Sequence, residues 1–513
     1  MRIAVAAHSI TDFYFTPHRH ASLGTMTVTA ALSGIGAEVR EFNFPLLSRR
    51  SRRIALPGTL AYLAPHIIAD EYGPTAFFTA YRRLGPDPGK CAEMIAACDP
   101  DALLISSFAY AYAEDAIELA GAVRRLLPNI PIAVGGGGPS ASPDRFLAND
   151  VIDYVVPGEI EATAGTLLDC LKGHSSHASV SAGEGNRYPG ILTASAPHRT
   201  TVPEPAEKMI FPLRVLPPRN GVRRAVLSVS RGCSKRCAFC SSHLTHGRRF
   251  RQIPFDQIAD TIRDLPHYPD ERYHFAFEDD NLLIDTDRFL RTLELIRQHF
   301  PTATFSAENG MDYRLLDHRI VRKLVELGCT QFNLSIGSFA PDILQQQKRS
   351  ADLDHLREML QVIDELQVRS ILYMIVGLCG DTPVSAAAAL LTVLGLPADI
   401  GISPYYALPG LPGFREVGSP LLSKGSSLFP WTGSLTTAEL MTAFRLARLV
   451  QLIKHPDTDR ELLEGILRSR KLLTRINERK IGRKSIREVP GLSGKMLEAF
   501  FSGIPRSVPN RLK

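Results

Sequence analysis

The sequence contains a single tryptophan, few cysteines and no long apolar run. Eight cysteines among 513 residues are too few for a disulfide framework in a chain of this length. No stretch of about eighteen consecutive apolar residues occurs, which argues against a membrane-spanning helix. The apolar start, from Met1 to Ala7, reaches His8 too early for a secretory signal. These absences predict a cytoplasmic protein with reduced thiols and no membrane partner.

The overall composition is that of a globular protein. Hydrophobic residues make up 44% of the chain and charged residues 22%, which is enough apolar material for sizeable cores. The length predicts two or three domains. The net charge of +6 is uneven, because residues 460–513 hold 14 Lys and Arg against 5 Asp and Glu. Such a basic tail is more often a solvated helical face than a phosphate-binding surface.

The most informative motif is a short cysteine loop. Cys233, Cys237 and Cys240 stand in C-x3-C-x2-C spacing directly after the apolar run 225–230. Three thiolates on one loop can hold three corners of a [4Fe–4S] cluster and leave one iron free. The alternative is a zinc site completed by a cysteine such as Cys329. Zinc ligands usually occur as separated C-x2-C pairs, and a second pair is absent, so the spacing favours the cluster.

Strands and helices alternate along residues 1–172. This pattern predicts a doubly wound parallel sheet, whose ligands bind beyond the carboxyl ends of the strands. Ser106 follows the third predicted strand, and a glycine run beginning with Gly135 and Gly136 follows the fourth. Glycines allow a backbone to approach a large ligand closely. We therefore expect Ser106, Gly135 and Gly136 to contact a cofactor, although a lone glycine run also occurs in tight turns.

The alternation resumes in residues 208–414, after a linker at 173–207 that is rich in Ser, Ala, Gly and Pro. Six strand–helix repeats predict a partial (β/α)6 barrel, with chemistry at the carboxyl ends of its strands. Asp279 and Asp280 follow the second barrel strand, where carboxylates can accept hydrogen bonds from an ammonium group. Helix capping is the alternative role for such acidic residues. Glu308 follows the third strand as a further polar candidate.

The cysteine loop resembles the signature of the radical S-adenosylmethionine (SAM) superfamily, including Phe239 before the third cysteine. In that family the free iron chelates the amino and carboxylate groups of SAM, and reduction yields a 5′-deoxyadenosyl radical. The resemblance implies that SAM binds near the strand ends. The residues expected there are Asp279, Asp280, Glu308, Ser335, Gly377 and Gly380. Relatives usually have G-I-E-S at the fourth strand, whereas this chain has Ser335-Ile-Gly337-Ser338.

The N-terminal part resembles the cobalamin (B12)-binding domains attached to radical SAM enzymes. The features that carry this resemblance are Leu23-Gly24, Asp99-Pro-Asp101, Ser106, Gly135-Gly136 and Val156 to Glu159. The D-x-H-x-x-G element, which supplies a cobalt-ligating histidine in many B12 proteins, is absent. His8, His18 and His20 lack its spacing, so we expect cobalamin to bind without a histidine on cobalt.

These patterns divide the chain into a B12-binding-like domain (1–172), a linker (173–207), a radical SAM core (208–414) and a helical basic C-terminal region (415–513). Residues 45–90 are predicted to be a mainly helical insertion. A helix is predicted over Thr436–Ile453, with helical structure continuing to Arg487. Trp431 is expected to pack rather than to stack on a ligand.

The resemblance implies a methyltransferase that acts at an unactivated carbon or phosphorus of a small-molecule or peptide substrate, with cobalamin as methyl carrier. It also implies an electron donor such as flavodoxin or ferredoxin. Radical rearrangement or cyclisation of a small precursor is an alternative. An RNA-modifying methylthiotransferase is a weaker one, because those relatives carry three further N-terminal cysteines, and nucleic acid is not an expected partner. A non-enzymatic cobalamin sensor would not need the three cysteines.

Overall fold

The computed structural model describes residues 1–15, 22–48, 50–174, 188–194, 209–406, 408–412, 414, 434–478, 482–505 and 508. Its strands, numbered along the chain, are β1 (Arg2–Ala7), β2 (Ile10–Asp12), β3 (Glu38–Asn43), β4 (Arg52–Arg53), β5 (Glu71–Tyr72), β6 (Arg82–Leu84), β7 (Ala102–Ser106), β8 (Ile132–Gly135), β9 (Tyr154–Val156), β10 (Leu213–Val215), β11 (Val222–Leu227), β12 (Ser230–Arg231), β13 (Arg251–Gln252), β14 (Arg272–Phe277), β15 (Thr304–Ala307), β16 (Cys329–Gly337), β17 (Arg369–Val376), β18 (Asp399–Pro404), β19 (Leu473–Glu478) and β20 (Arg483–Glu488).

The α-helices are numbered in the same way. They are α1 (Leu23–Ser33), α2 (Pro88–Ala96), α3 (Ala113–Leu126), α4 (Gly137–Ala141), α5 (Pro143–Leu147), α6 (Ala164–Lys172), α7 (Ser242–His246), α8 (Phe255–Arg263), α9 (Thr286–His299), α10 (His318–Glu326), α11 (Pro341–Gln346), α12 (Leu353–Glu365), α13 (Pro383–Leu394), α14 (Thr437–Lys454), α15 (Arg460–Ser469) and α16 (Gly494–Gly503). Among the described residues, no helix is both long and apolar enough to cross a membrane.

The N-terminal sheet is the predicted doubly wound one. Its order is β3-β1-β7-β8-β9, and every neighbouring pair is parallel. One face packs against α2, α3 and α5, and the other packs against α1 and α6. Burial on both faces explains why β1, β7, β8 and β9 are nearly continuous apolar runs, whereas the edge strand β3 is mostly polar. The direction of winding reverses between β1 and β7, which is where doubly wound sheets bind ligands.

The second sheet confirms the predicted partial barrel. It has the order β10-β11-β14-β15-β16-β17-β18, with six parallel strands and β10 antiparallel at one edge. Amphipathic helices such as α8 cover its outside. The carboxyl ends of the parallel strands therefore meet at one rim, and the cysteine loop leaves that rim between β12 and β13.

The C-terminal region is only partly helical. Helix α14 lies within one residue of the predicted span and begins with a capping box between Thr436 and Glu439. The prediction of helical structure through to Arg487 is wrong, because β19 and β20 form an antiparallel hairpin. Strand β19 also pairs with β5, which lies about four hundred residues earlier. This pairing stabilises strands that local sequence patterns did not predict. Trp431 lies outside the described residues.

The prediction of a mainly helical insertion at 45–90 is also wrong. Before α2 begins at Pro88, the regular structure of the segment consists of the two- and three-residue strands β4, β5 and β6 and two 3-10 helices, of which the longer is Gly58–His66. Prolines at 45, 57, 65, 74 and 86 interrupt helical hydrogen bonding. The segment is held by Glu71, which accepts hydrogen bonds of 2.5 and 3.0 Å from the guanidinium of Arg445 in α14, and both side chains are fully buried.

Candidate active site

The carboxyl ends of the two sheets open on one cavity of about 920 Å³. Ser106, Gly135 and Gly136 line its N-terminal wall, as the sequence predicts, and Cys240 and Asp280 line the opposite wall. Pockets for single drug-sized ligands measure roughly 300–1,000 Å³. The cavity is therefore large enough for a bulky ligand, and it brings five predicted site residues from two domains together.

The cysteine loop fits an iron–sulfur cluster. Cys237 is 8% exposed, and the next residue, Ala238, donates its N–H to the carbonyl of Gln347 (3.0 Å). The sulfurs of Cys233 and Cys240 lie beside Asn281 Nδ2 (4.0 Å) and Ser242 Oγ (3.4 Å). Each thiolate of a [4Fe–4S] cluster binds its own iron, so the sulfurs need not converge on one point. Among the described residues, no three His, Cys, Asp or Glu side chains converge as the ligands of a single ion would.

The position of Cys329 argues against the zinc alternative. Cys329 is the first residue of β16, whereas the cysteine loop lies near the other end of that strand, at Gly337. Eight residues of extended chain span roughly 26 Å. The thiol of Cys329 is buried in the barrel core, and burial raises its pKa to about 12. It cannot serve as the fourth ligand of a metal bound by the loop.

Asp279 and Asp280 have different surroundings. Asp279 is 3% exposed, and its Oδ1 accepts hydrogen bonds from the N–H of Val229 (3.0 Å) and from the N–H and Oγ of Ser230 (both 2.6 Å). It therefore holds the chain that leads into the cysteine loop. Asp280 accepts the N–H of Gly232 (2.8 Å) and lines the cavity. Asp280 is the one of the pair that can reach a ligand there.

Glu308 lies inside the barrel rather than on the cavity wall. It is ion-paired with Arg224, and it accepts a hydrogen bond from Ser306 Oγ (2.7 Å). The next residue, Asn309, lines the cavity and donates to the carbonyl of Glu278 (2.7 Å). Glu278 lines the cavity too. Asn309 and Glu278 are thus candidate contact residues that the sequence analysis did not single out.

The departure from G-I-E-S at the fourth barrel strand has a backbone explanation. Gly337 has φ +84°, a left-handed conformation that a glutamate adopts only with strain. The β16–β17 register shifts between Ser335 and Gly337. The carbonyl of Ser335 accepts a hydrogen bond from Arg349 Nη2 (2.5 Å), so Ser335 contributes its main chain to this corner.

Arg349 is a candidate functional residue that sequence reasoning missed. Its Nε donates to the carbonyl of Ile336 (3.2 Å), and its Nη1 lies 3.8 Å from the sulfur of Cys237. If Gly337 carried a Cβ atom, that atom would lie 3.6 Å from the Arg349 side chain. The guanidinium is thus fixed beside the cysteine loop, where it can bind a carboxylate. Sequence motifs do not mark this residue, because only the folded turn after α11 brings it next to the cysteine loop.

Gly377 and Gly380 form the turn after β17. Both have positive φ, +82° and +88°, and the N–H of Gly377 donates to Asp381 Oδ2 (2.8 Å). Gly380 faces Gln346. Ile375, near the end of β17, lines the cavity. Neither glycine lines the cavity, so the structure does not bring these two predicted SAM contacts to it.

The glycine run has a packing role on the N-terminal wall. A Cβ atom would lie 2.7 Å from the carbonyl oxygen of Ser107 if placed on Gly136, and 2.6 Å from that of Phe108 if placed on Gly137. The glycines thus allow the loop after β7 to pack closely against α4. The hydroxyl of Ser107 is buried without a hydrogen-bond partner among the described residues.

The structure places one of the three loop histidines at the cavity. His8 is 2% exposed, and its Nδ1 lies 2.8 Å from the carbonyl of Ser9. Burial lowers the pKa of His8 to about 4, so its ring is neutral at pH 7. Its Nε2 has no partner among the described residues. His18 and His20 lie outside the described residues.

Two protein-family models match the chain, one in the barrel domain and one in the N-terminal domain. The radical SAM superfamily matches residues 227–391, and the B12 binding domain matches residues 81–168. An uncharacterized methyltransferase of Pyrococcus horikoshii is 26% identical over 268 residues, which are 50% of this chain and 55% of that protein. Hopanoid C-3 methylase of Methylococcus capsulatus is 25% identical over 288 residues, 52% of each chain. The chain thus spans about half the length of these relatives.

Solved structures show the same fold. The radical SAM methyltransferase TsrM of Kitasatospora setae, with tryptophan and a SAM analogue bound, has a TM-score of 0.55. The sequences are 16% identical, and the alignment covers 80% of this chain and 74% of that one. TsrM with cobalamin and a [4Fe–4S] cluster has a TM-score of 0.52 at 15% identity. The chain therefore contains a radical SAM domain at residues 227–391 and a B12 binding domain at residues 81–168, the two domains that its sequence motifs resemble.

Proposed function

We propose that the protein is a cobalamin-dependent radical SAM methyltransferase that acts on an unactivated centre of a small molecule or peptide. The observation that carries this proposal is the shared cavity, because Ser106 and Gly135 line one wall and Cys240 and Asp280 line the other. A single substrate in this cavity can therefore meet both cofactors. The relatives named as methyltransferases support the same reaction class.

When bound, SAM and the cluster supply radical chemistry, and cobalamin supplies methyl-transfer chemistry. The protein binds and orients them. Cys233, Cys237 and Cys240 would hold the cluster, and Arg349 and Asp280 would bind the carboxylate and the ammonium group of SAM. These charge-assisted contacts stabilise a bound zwitterion by roughly 1.5–3 kcal/mol each. Apolar side chains such as Phe239 and Leu408, which line the cavity, would exclude water from the reacting atoms.

The arrangement of the other cysteines disfavours an RNA methylthiotransferase. Such an enzyme needs a second cysteine trio in its N-terminal domain. Cys91 and Cys98 pack on one face of the N-terminal sheet and Cys170 packs on the other, so the three thiols cannot share a cluster. Relatives named as tRNA-2-methylthio-N(6)-dimethylallyladenosine synthases are 24% identical over 179 to 197 residues. Because the N-terminal cysteines cannot form a second cluster, radical rearrangement or cyclisation, and not RNA methylthiolation, is the second candidate activity.

The proposal is tested with protein reconstituted anaerobically with iron, sulfide and hydroxocobalamin. With a reductant and methyl-deuterated SAM, it should release 5′-deoxyadenosine and transfer the labelled methyl group to a component of a small-metabolite extract. Mass spectrometry would identify the product. Release of 5′-deoxyadenosine with an unlabelled, isomerised product would instead establish the rearrangement activity. An absence of SAM cleavage in fully loaded protein would contradict both activities and favour a sensor.

A further inference from the structure

Five arginines lie on or just before strands of the small sheet β2-β6-β4, which no part of the proposed function uses. We define the arginine patch as Arg50, Arg52, Arg53, Arg82 and Arg83. The first three are exposed and the last two are half-buried. In the antiparallel pair β4–β6, Arg52 lies directly opposite Arg83, and Arg53 lies directly opposite Arg82. Like charges directly opposite each other destabilise a sheet.

Acidic residues do not neutralise the patch by direct contact. Among the described residues, no carboxylate lies within ion-pairing distance of any of the five arginines. Three acids are near the patch without contacting it, since the charges of Arg52 and Arg83 act on Asp87 and that of Arg83 acts on Asp115, and Asp12 and Asp87 also have hydrogen-bond partners of their own. Asp12, opposite Arg82, accepts hydrogen bonds from Tyr112 Oη (2.9 Å) and the N–H of Phe13 (2.7 Å). Asp87 caps α2 through the N–H of Lys90 (3.0 Å). A locally unfavourable arrangement of this kind is typical of a functional site.

The arginine patch lies next to a strand that reaches the shared cavity. Strand β2 pairs directly with β6, and its first residue, Ile10, lines the cavity. Alternate residues of a strand share a face, so Ile10, Asp12 and their cross-strand neighbours lie on one face. Arg82 and Arg53 belong to that face. Pro45, five residues before Arg50 in the sequence, also lines the cavity.

We propose that the arginine patch binds a phosphate group on the substrate, with Arg53 and Arg82 as the contact residues. Directly opposed side chains have Cβ atoms roughly 4.5–5.5 Å apart, which allows two guanidinium forks to grip one phosphate. The substrate would then be a small molecule with an uncharged reacting end in the cavity and a phosphorylated end at the patch. This inference deepens the proposed function and names the substrate class of the same site.

The test measures binding of inorganic pyrophosphate by calorimetry, in low salt, to the full chain with and without bound cobalamin. We expect one pyrophosphate per chain in both forms. The double variant Arg53→Gln/Arg82→Gln should bind at least about tenfold more weakly, because each charge-assisted contact is worth a factor of about ten or more. The matched control Arg468→Gln/Lys495→Gln removes two exposed cations of the C-terminal region and should bind like the wild type.

Folding and identity controls complete the test. Arg53→Lys/Arg82→Lys keeps both charges but loses the two-pronged guanidinium groups, so its affinity for pyrophosphate should lie between those of the wild type and the glutamine variant.

Equal pyrophosphate binding by all variants would overturn the proposal. So would loss of binding on cobalamin loading, which would assign the patch to the phosphate of the cofactor. Tighter binding of tRNA that depends on the same arginines would also overturn it. Each of these results is independent of SAM cleavage, which tests the proposed function separately.

Discussion

Glu159 of the N-terminal domain accepts two hydrogen bonds from the guanidinium of Arg251 in the barrel domain, at 2.9 and 2.8 Å. His246 Nδ1 lies 2.9 Å from the same carboxylate, and Arg231 Nη1 lies 3.8 Å from it. Burial alone would raise the pKa of Glu159, but hydrogen bonds from His246 and Arg251 and the charge of Arg231 hold it at about 2. Because Arg231 directly precedes the cysteine loop, this carboxylate links the N-terminal wall of the cavity to that loop.

We therefore expect Glu159→Gln to uncouple the two cofactor sites. In the wild type, cluster reconstitution should change the cobalamin dissociation constant by roughly 5–150-fold, the usual range for coupled sites. In Glu159→Gln the cluster should change the cobalamin dissociation constant much less, because an uncharged Gln cannot balance the charges of Arg251 and Arg231. Optical titration of cobalamin, with and without the cluster, measures the effect.

Glu41→Gln is the matched control for this prediction. It breaks another interdomain ion pair, between Glu41 in β3 and Arg214 in β10. An equal loss of coupling in this variant would show that domain contact in general, and not the Glu159 cluster, links the sites.

Replacing Cys233, Cys237 and Cys240 together by Ala should abolish iron and sulfide incorporation, because these three thiols provide the ligands of the cluster. The exposed Cys379 provides a control, since Cys379→Ala should bind iron as the wild type does. Iron and sulfide analysis after anaerobic reconstitution measures both. Full iron content in the triple variant would contradict the assignment.

Asp280→Asn and Asp279→Asn should have different effects. Asp280 lines the cavity, so Asp280→Asn, which replaces its carboxylate by an uncharged amide, should weaken SAM binding by about tenfold to a hundredfold with little loss of stability. Asp279 is buried behind the loop, so Asp279→Asn should chiefly lower the thermal midpoint and the cluster yield. SAM titration and calorimetric melting distinguish the two. Equal SAM affinity in wild type and Asp280→Asn would refute the contact.

Gly24→Val should weaken cobalamin binding by narrowing the cavity. Gly24 lines the cavity on α1, and a Cβ atom there would lie 3.5 Å from Ser106 Oγ, an ordinary contact that the fold can accept. Gly165→Val in α6 is the control, because a Cβ there meets nothing within 4 Å. Retention of hydroxocobalamin after desalting measures the effect. Gly136 is unsuitable for this test, because its substitution would clash with the Ser107 main chain.

Asp115 should make stability depend on pH. Burial raises its pKa to about 7, against opposing hydrogen bonds from the N–H (2.8 Å) and Oγ1 (2.7 Å) of Thr11. The folded state therefore binds a proton more tightly than the unfolded state, whose Asp has a pKa near 3.8. This contribution to stability is present at low pH and is lost as pH rises from about 4 to 7, by up to about 4 kcal/mol. Asp115→Asn should flatten the dependence of the free energy of unfolding on pH between about pH 4 and 7. An unchanged slope in this variant would contradict the role of Asp115.

The sequence predicted those parts of the fold that depend on local patterns. Apolar runs identified the strands of both parallel sheets, and the cysteine spacing singled out a loop that the structure places beside the shared cavity. Strands β5 and β19 were missed because each is stabilised by a partner about four hundred residues away. Arg349 and Glu159 likewise acquire their roles from elements that the topology brings together. Contacts of this kind leave no periodicity in the sequence.

The pairing of Glu71 with Arg445 has a consequence for the order of folding. The N-terminal sheet can form while the chain is still being synthesised, but Glu71 and strand β5 find their partners only after residues 445 and 476 have emerged. Until then a carboxylate and a strand edge of the insertion remain open to water and to other chains. Closure of the insertion is thus a late event in biogenesis, and a chain cut before α14 should aggregate even though both of its cofactor loops are intact.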